Sequence, residues 1–246
     1  MTPPPLDIES LTRRFGDVVA VRELSLQVRA GEILGFLGPN GAGKTTTLRC
    51  CAGLLEPHAG AIRIDGVSLA ADPRGAKARM GLVPDRVFLY DKLTAREFLE
   101  FVAALYDLPA ADAGRRADAL LERLDLGDAE HDLIETHSLG TRQKVAIAAA
   151  LLHAPRLIML DEPLSGLDPR ASRTLKDLLR EHADAGGGVL VSTHLLEVAE
   201  RLCDRVVILA GGRKAAEGSL AELRGARHDA TLEDVFLELT READRA

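Results

Sequence analysis

The sequence of 246 residues predicts an α/β fold in which a mostly parallel sheet is covered by helices on both faces. Short apolar segments typical of buried strands alternate with helical segments along the chain. An alternating hairpin precedes them and adds an N-terminal antiparallel β subdomain, whereas residues 92–139 interrupt the alternation and predict an inserted helical subdomain. We expect one domain, with its core and β part at about residues 6–91 and 154–218, and a helical tail at 219–246.

Most elements are predicted from the spacing of apolar residues and from residues that start or stop a segment. Two alternating blocks on either side of Gly16 predict the hairpin. Thr94 followed by Glu97 forms a capping-box pattern that starts a helix. The predicted strands are 6–13, 18–28, 33–37, 60–66, 80–83, 157–160, 189–192 and 206–209, and the predicted helices are 46–55, 94–106, 109–126, 141–153, 169–185 and 195–203, with two short helices in the tail.

The composition describes a chain with a sizeable core and an acidic balance of charge. Hydrophobic residues make up 46% of the sequence, enough for one large domain or one domain with a subdomain. The formal net charge is -7 at pH 7. A nucleic-acid partner usually requires a concentrated basic face, so we expect none here.

The cysteines and the hydropathy pattern exclude several classes of protein. Cys50, Cys51 and Cys203 show neither metal-ligand nor disulfide spacing, so they are interpreted as packing residues in a reducing compartment. No stretch approaches the roughly 18–20 apolar residues of a membrane span, and the start lacks a secretory pattern. We therefore expect a chain that is soluble by itself and that reaches a membrane only through another subunit.

The most informative segment lies between a predicted strand and a predicted helix. It follows the pattern G-x-x-x-x-G-K-[ST], whose backbone N–H groups surround the phosphates of a nucleotide. The start of the following helix also attracts anions, because its N–H groups are unpaired and the helix dipole is positive there. The predicted nucleotide-binding residues are Gly38, Pro39, Asn40, Gly41, Ala42, Gly43, Lys44, Thr45 and Thr46.

Two carboxylates follow an apolar strand and could supply the metal ligand and the catalytic group that a phosphate loop requires. Asp161 is expected to hold Mg²⁺ together with Thr45, because Mg²⁺ prefers oxygen ligands and uses few protein carboxylates. Glu162 comes next and is placed to polarise an attacking water. The sequence therefore predicts Glu162 as a catalytic residue and a magnesium site at Thr45 and Asp161.

Three further motifs lie elsewhere in the chain, one before and two after these carboxylates. Residues 137–148 read HSLGTRQKVAIA, residues 164–169 read LSGLDP, and residues 192–194 read STH. Together with the phosphate loop, they resemble the signature segment, D-loop and switch histidine of the ATP-binding subunit of an ABC transporter. The resemblance covers about residues 6–225 and extends to the ABC-2 branch, in which drug and polysaccharide exporters are found.

The resemblance implies a role for each motif in a pair of subunits that enclose two ATP molecules. His194 would be catalytic, through a contact with the γ-phosphate or the water, and Phe15 would stack on adenine. Ser138 and Gly140 would reach the nucleotide bound to the other copy, and Asp168 would lie at the dimer interface. The choice of ATP over GTP rests on Phe15 alone.

The same resemblance implies an ATPase that powers transport, with export favoured over import. The energy would come from ATP-driven closure of a homodimer beside separate integral-membrane permease subunits, on the cytoplasmic face of the cell membrane. Phe88, Leu89 and Tyr90 would lie in the groove where the permease docks, although burial within the helical subdomain is an equal alternative. The transported substrate is not readable, because its contacts belong to the permease.

Three positions depart from the family pattern. Leu139 replaces a glycine and Thr141 replaces the glutamine of the signature, as in export-type members. Asp85 stands where the family usually has a glutamine, and an ionised aspartate accepts hydrogen bonds but donates none. Asp85 is therefore a further candidate metal ligand, and we expect a changed ATPase rate.

Two other functions remain open on the sequence alone. One is an ABC-type ATPase that acts on DNA or the ribosome, although such relatives usually carry two ATPase halves or long coiled coils, and this chain shows no sustained heptads. The other is a regulator that uses ATP as a conformational switch, which the presence of both Glu162 and His194 disfavours. A membrane protein encoded next to this chain would support transport.

Overall fold

The structure, a computed structural model, describes residues 2–225 and 231–243. Its strands are β1 (Leu6–Phe15), β2 (Val18–Val28), β3 (Ile33–Leu37), β4 (Ala59–Ile64), β5 (Val67–Ser68), β6 (Met80–Val83), β7 (Leu157–Asp161), β8 (Gly188–Thr193), β9 (Arg205–Ala210) and β10 (Arg213–Gly218). Its helices are α1 (Lys44–Cys51), α2 (Pro73–Lys77), α3 (Ala95–Leu105), α4 (Ala110–Arg123), α5 (Leu139–Leu152), α6 (Pro169–Asp184), α7 (Leu196–Leu202), α8 (Leu220–Arg224) and α9 (Leu232–Ala243).

Two sheets form the framework. The N-terminal hairpin joins β4 and β5 in an antiparallel sheet of order β2-β1-β4-β5. The larger sheet has the order β10-β9-β3-β8-β7-β6, and all its strands run parallel except β10. This arrangement confirms the predicted α/β fold with its mostly parallel sheet.

The register of the parallel sheet brings three strand ends to one edge. Leu37 at the end of β3 pairs with Thr193 at the end of β8, and Asp161 at the end of β7 pairs with Ser192. Each of these strands continues into a segment that the sequence singled out. Because ligands of open α/β sheets bind beyond the carboxyl ends of the strands, this edge is where a site is expected.

The apolar core has two parts that lie on opposite faces of the parallel sheet. One part joins the sheet to α3, α4, α5 and α6, through buried residues such as Leu99, Leu121 and Leu175. The other part joins it to α1 and the antiparallel sheet, and it includes Cys50 and Cys51. All three cysteines are buried, which confirms them as packing residues.

Several element boundaries differ from prediction. Helix α1 begins two residues earlier than predicted, at Lys44, and ends at Cys51, before a left-handed turn at Gly53. Helix α5 begins at Leu139 rather than at residue 141, because the Ser138 side chain caps it. The capping box of Thr94 and Glu97 is confirmed.

Three short elements escaped prediction, and part of the tail lies outside the described residues. Strand β5, helix α2 and the exposed edge strand β10 carry weak apolar patterns. The predicted tail gives α8 and α9, while residues 226–230 and 244–246 lie outside the described part. Glu200 of α7 holds the tail by accepting hydrogen bonds from Arg224 and from the backbone N–H of Leu232.

Within the described residues, no helix combines the length and the apolar character that crossing a membrane requires.

Candidate functional site

The phosphate loop follows β3 and depends on glycines where its backbone turns. Gly43 precedes α1 with φ of 104°, and Gly41 has φ of 81°, both in the left-handed region that favours glycine. A Cβ on Gly43 would lie 2.5 Å from the backbone oxygen of Ala20 on β2, and one on Gly38 would lie 2.6 Å from that of Leu209. The loop is therefore wedged between neighbouring strands, and its N–H groups are held in place.

Lys44 is a buried cation at the centre of this loop. Its Nζ donates hydrogen bonds to the backbone oxygens of Gly38 at 2.6 Å and Pro39 at 3.2 Å. Burial lowers the pKa of Lys44, while the nearby charges of Glu162 and Asp161 act in the opposite direction. The ammonium group thus lies under the loop, and Lys44 lines the same cleft as both carboxylates.

Thr45 and Asp161 meet beside the lysine. The Thr45 hydroxyl donates a hydrogen bond of 2.7 Å to Oδ2 of Asp161, whose side chain is nearly fully buried at the end of β7. A hydroxyl and a carboxylate side by side are hard oxygen ligands of the kind that Mg²⁺ prefers. The pair therefore fits the magnesium site that the sequence predicts.

Glu162 is held by the residues that end β8. Its backbone is left-handed, with φ of 50°, and its N–H donates to the backbone oxygen of Ser192. Oε1 accepts hydrogen bonds from the backbone N–H of His194 at 2.9 Å and from Nδ1 of the same residue at 2.7 Å. Because a carboxylate oxygen is an acceptor, Nδ1 is the ring nitrogen that carries a proton. Oε2 accepts from the Thr193 hydroxyl at 3.1 Å.

These groups surround one cleft of about 340 Å³ at the edge of the sheet. The lining brings together the loop, both carboxylates, the strand-end histidine and Asp85. It consists of Asn40, Gly41, Gly43, Lys44, Thr45, Thr46, Asp85, Asp161, Glu162 and His194. The structure thus collects candidate residues from four separate segments of the sequence.

The signature segment and Asp168 lie outside the lining of this cleft. Ser138 is exposed and caps α5, where its Oγ accepts from the backbone N–H of Thr141 at 3.1 Å. Gly140 packs against Gly166, whose backbone oxygen would lie 2.8 Å from a Cβ at position 140. Asp168 caps α6 through a hydrogen bond from Ala171, and that bond is the main reason why its pKa is lowered.

Phe15 likewise lies outside the cleft lining, at the exposed end of the hairpin. The residue is 47% exposed, and the Arg13 guanidinium lies 4.8 Å from the ring centroid. The hairpin is adjacent to the phosphate loop, because Ala20 of β2 approaches Gly43. Phe15 is therefore an accessible aromatic ring on a strand pair that touches the loop.

Of the three predicted docking residues at positions 88–90, two are strongly exposed. Phe88 is 87% exposed and Tyr90 is 59% exposed, whereas Leu89 packs partly on the core. Tyr90 forms an edge-to-face pair with Phe101 of α3 at 5.3 Å between centroids. The segment therefore presents an aromatic surface next to the cleft.

Sequence reasoning missed one residue of this site. Thr193 is buried and touches Glu162, although the sequence motif around the histidine gives it no role of its own. The signal available in the sequence was the hydroxyl residue directly before His194 at a strand end.

Comparison with known proteins defines the family. The ABC transporter family matches residues 21–165. The ABC-type transporter ATP-binding protein EcsA of Bacillus subtilis is 38% identical over 239 residues, which cover 96% of this chain and 97% of EcsA. The daunorubicin resistance ATP-binding protein DrrA3 of Streptomyces coeruleorubidus is 38% identical over 91% of this chain and 71% of its own length.

Solved structures agree with the sequence comparison. The structure of an ATP-binding subunit of an ABC transporter superposes with a TM-score of 0.92 at 37% identity, covering 96% of this chain and 99% of its own. The dimeric structure of a bacterial ABC transporter cassette gives a TM-score of 0.79 at 26% identity, covering 88% and 99%. The chain therefore belongs to the ABC transporter family, as an ATP-binding subunit with ATPase activity.

Proposed function

We propose that this chain hydrolyses ATP as one half of a homodimer and thereby powers export through separate integral-membrane permease subunits. The observation that carries the proposal is the division of the site. One cleft collects Lys44, Asp161, Glu162 and His194, whereas the signature residue Ser138 is exposed on another part of the surface. A signature segment that its own cleft does not use is available to the cleft of a second copy.

Within one copy, the loop residues 38–46 hold the phosphates. Lys44 would exchange its backbone acceptors, the oxygens of Gly38 and Pro39, for phosphate oxygens. Thr45 and Asp161 would hold Mg²⁺, with Asp85 as a further candidate ligand at the same cleft. When bound, Mg²⁺ neutralises charge that develops on the phosphates during transfer.

Glu162 acts as the general base in this proposal. Its carboxylate lines the cleft and would accept a proton from the attacking water. Most of the acceleration of ATP hydrolysis would come from holding this water and the γ-phosphate in the right positions. His194 is 60% exposed in its side chain and lines the same cleft, so its ring can turn towards the γ-phosphate. Phe15 would stack on the adenine ring from the hairpin.

The second copy would complete the γ-phosphate side. Ser138 and Gly140 lie at the start of α5, a helix end that favours anions, and Asp168 lies at the start of α6 on the same exposed region. A related bacterial ABC transporter cassette has a dimeric structure, which supports the pairing of two copies. Closure of the dimer would bring each signature segment onto the opposite ATP.

The permease is proposed to dock on the exposed aromatic surface beside the cleft. Phe88 and Tyr90 directly follow the Asp85 segment, so that a change at the cleft would reach them through three to five residues of backbone. We retain the division into a core, a helical subdomain at residues 92–139 and a tail at 219–246. The protein would lie on the cytoplasmic face of the cell membrane, held there by the permease.

Export is the proposed direction because relatives named for resistance resemble this chain over most of its length. The daunorubicin resistance protein DrrA3 is one of them. The substrate class remains the property of the permease.

ATP-dependent dimerisation tests the proposal directly. Glu162→Gln should slow hydrolysis and spare binding, so that size-exclusion chromatography with MgATP shows a dimer, whereas Lys44→Ala shows a monomer. Glu197→Gln, the same change at an exposed glutamate of α7, is the matched control and should behave as wild type. A Glu162→Gln protein that stays monomeric with MgATP bound would refute the shared site. Purification of the protein with ribosomes or DNA would favour an ABC-type ATPase that acts on DNA or the ribosome.

A further inference from the structure

We propose that Thr193 is a positioning residue for ATP hydrolysis, whose hydroxyl fixes the carboxylate of Glu162 in its working orientation. The inference rests on the role proposed above for Glu162 as the base. It concerns a residue that does not line the cleft and that would touch neither ATP nor water.

The hydroxyl of Thr193 makes two hydrogen bonds that define its orientation. It donates to Oε2 of Glu162 at 3.1 Å and accepts from the backbone N–H of Leu195 at 3.1 Å. The Leu195 bond supplies a hydrogen to the hydroxyl oxygen and so leaves the hydroxyl's own hydrogen for the carboxylate. Thr193 is only 3% exposed, so both hydrogen bonds are shielded from solvent.

The two oxygens of Glu162 are held by residues that differ in mobility. Oε1 is bound by His194, whose exposed ring must leave if it is to contact a phosphate. Oε2 is bound by Thr193, which is buried in β8 and paired in register with Leu37 of β3. When the histidine turns away, the threonine is the side chain that still orients the base.

The backbone of Glu162 makes such a hold necessary. With φ of 50°, a non-glycine residue is in a sparsely populated conformation that persists only when its surroundings enforce it. The N–H bond to Ser192 fixes the backbone, but it leaves the side chain free to rotate. The backbone N–H of His194 holds Oε1, and the Thr193 hydroxyl holds the second oxygen, Oε2, so that together they fix the plane of the carboxylate.

Two substitutions at position 193 separate the hydroxyl from the shape of the side chain. Thr193→Val keeps the branched shape and removes the hydroxyl, whereas Thr193→Ser keeps the hydroxyl. We expect Thr193→Val to lower kcat for ATP on the order of ten-fold with little change in KM, because one hydrogen bond to a charged group is lost. Thr193→Ser should recover most of the rate. Thr240→Val, a buried threonine of α9 bonded to a backbone oxygen, should leave the rate unchanged.

A double-mutant cycle with Glu162→Gln then distinguishes positioning from a general structural effect. If Thr193 acts through Glu162, adding Thr193→Val to Glu162→Gln should lower the residual rate by less than two-fold. Equal rates for Thr193→Val and wild type, or a full ten-fold loss in the Glu162→Gln background, would overturn the proposal. The thermal midpoint and the affinity for fluorescent ATP show whether each variant is folded. A wild-type protein without ATPase activity would instead count against the proposed function.

Discussion

The hydroxyl of Thr45 donates a 2.7 Å hydrogen bond to Oδ2 of Asp161, although 116 positions separate the two residues in the sequence. Thr45 is the second residue of α1, behind the phosphate loop, and Asp161 ends β7. Their contact joins the loop to the strand that carries the base, and it places two oxygen ligands side by side. The two candidate ligands of the proposed magnesium site are therefore direct neighbours.

The first prediction separates the hydroxyl of Thr45 from its methyl group. Thr45→Val should weaken binding of fluorescent ATP about ten-fold in the presence of Mg²⁺ and have little effect in EDTA, because only the metal loses a ligand. Thr45→Ser keeps the hydroxyl and should stay close to wild type. Titration of each protein under both conditions measures the difference, and equal losses with and without Mg²⁺ would contradict the assignment.

The second prediction concerns the backbone at Gly43. Gly43→Ala places a methyl group 2.5 Å from the backbone oxygen of Ala20 in a left-handed conformation, so it carries both a clash and strain. Gly41→Ala shares the left-handed conformation but meets nothing within 4 Å. We expect Gly43→Ala to lower the free energy of unfolding in urea by about 2 kcal/mol more than Gly41→Ala. Similar values for the two variants would mean that the contact with β2 adapts without cost.

The parts of the fold and site that the sequence predicts are those with a local pattern. The loop around Lys44 is recognisable because glycines, lysine and threonine must stand at fixed spacing around a phosphate. The buried strands are continuous apolar runs, so β3, β7, β8 and β9 were all predicted. Their common edge follows from parallel pairing, whereas the assignment of Asp161 and His194 to one site came from the resemblance of their motifs to those of the family.

The parts that escaped prediction depend on contacts between distant segments or on weak patterns. Strand β10 is largely exposed and polar, so it lacks an apolar signal and is fixed by pairing with β9. The bond from Thr193 to Glu162 spans 31 positions, and the left-handed backbone of Glu162 is not encoded by a glycine. The hydroxyl residue directly before His194 hints at the bond without identifying its partner, and no local pattern indicates the backbone conformation of Glu162.

The third prediction addresses the charge of Asp85, which the cleft shares with Asp161 and Glu162. Asp85→Gln removes a negative charge that would face the γ-phosphate, so KM for ATP should fall. The change should be only a few-fold, because solvent screens the repulsion between an exposed aspartate and the phosphate. The ATPase rate and its dependence on Mg²⁺ should also change. Asp85→Asn removes the same charge without lengthening the side chain. Comparing it with Asp85→Gln therefore distinguishes the effect of the charge from the effect of side-chain length. If Asp85→Gln alters neither the ATPase rate nor the Mg²⁺ dependence, Asp85 does not belong to the site.

The last prediction links His153 to the acid sensitivity of the fold. His153 ends α5, its Nε2 donates to the backbone oxygen of Met80 at 3.0 Å, and its ring stacks on Tyr106 with centroids 3.7 Å apart. Burial is the main cause that lowers the pKa of His153 from 6.5 to about 4, and the charge of Arg116 acts in the same direction.

The sign of the effect follows from where the proton binds. Between pH 6.5 and about 4 the unfolded chain takes up a proton at His153 that the folded protein does not, so stability is full above pH 6.5 and falls as the pH drops towards 4. His153→Gln keeps a donor for Met80 but cannot titrate. Its free energy of unfolding in urea should therefore lose about 2 kcal/mol less than that of wild type across this window. His182 also has a pKa lowered by burial, but it is present in both proteins and cancels in the difference. Parallel curves of stability against pH for the two proteins would show that His153 carries no such proton linkage.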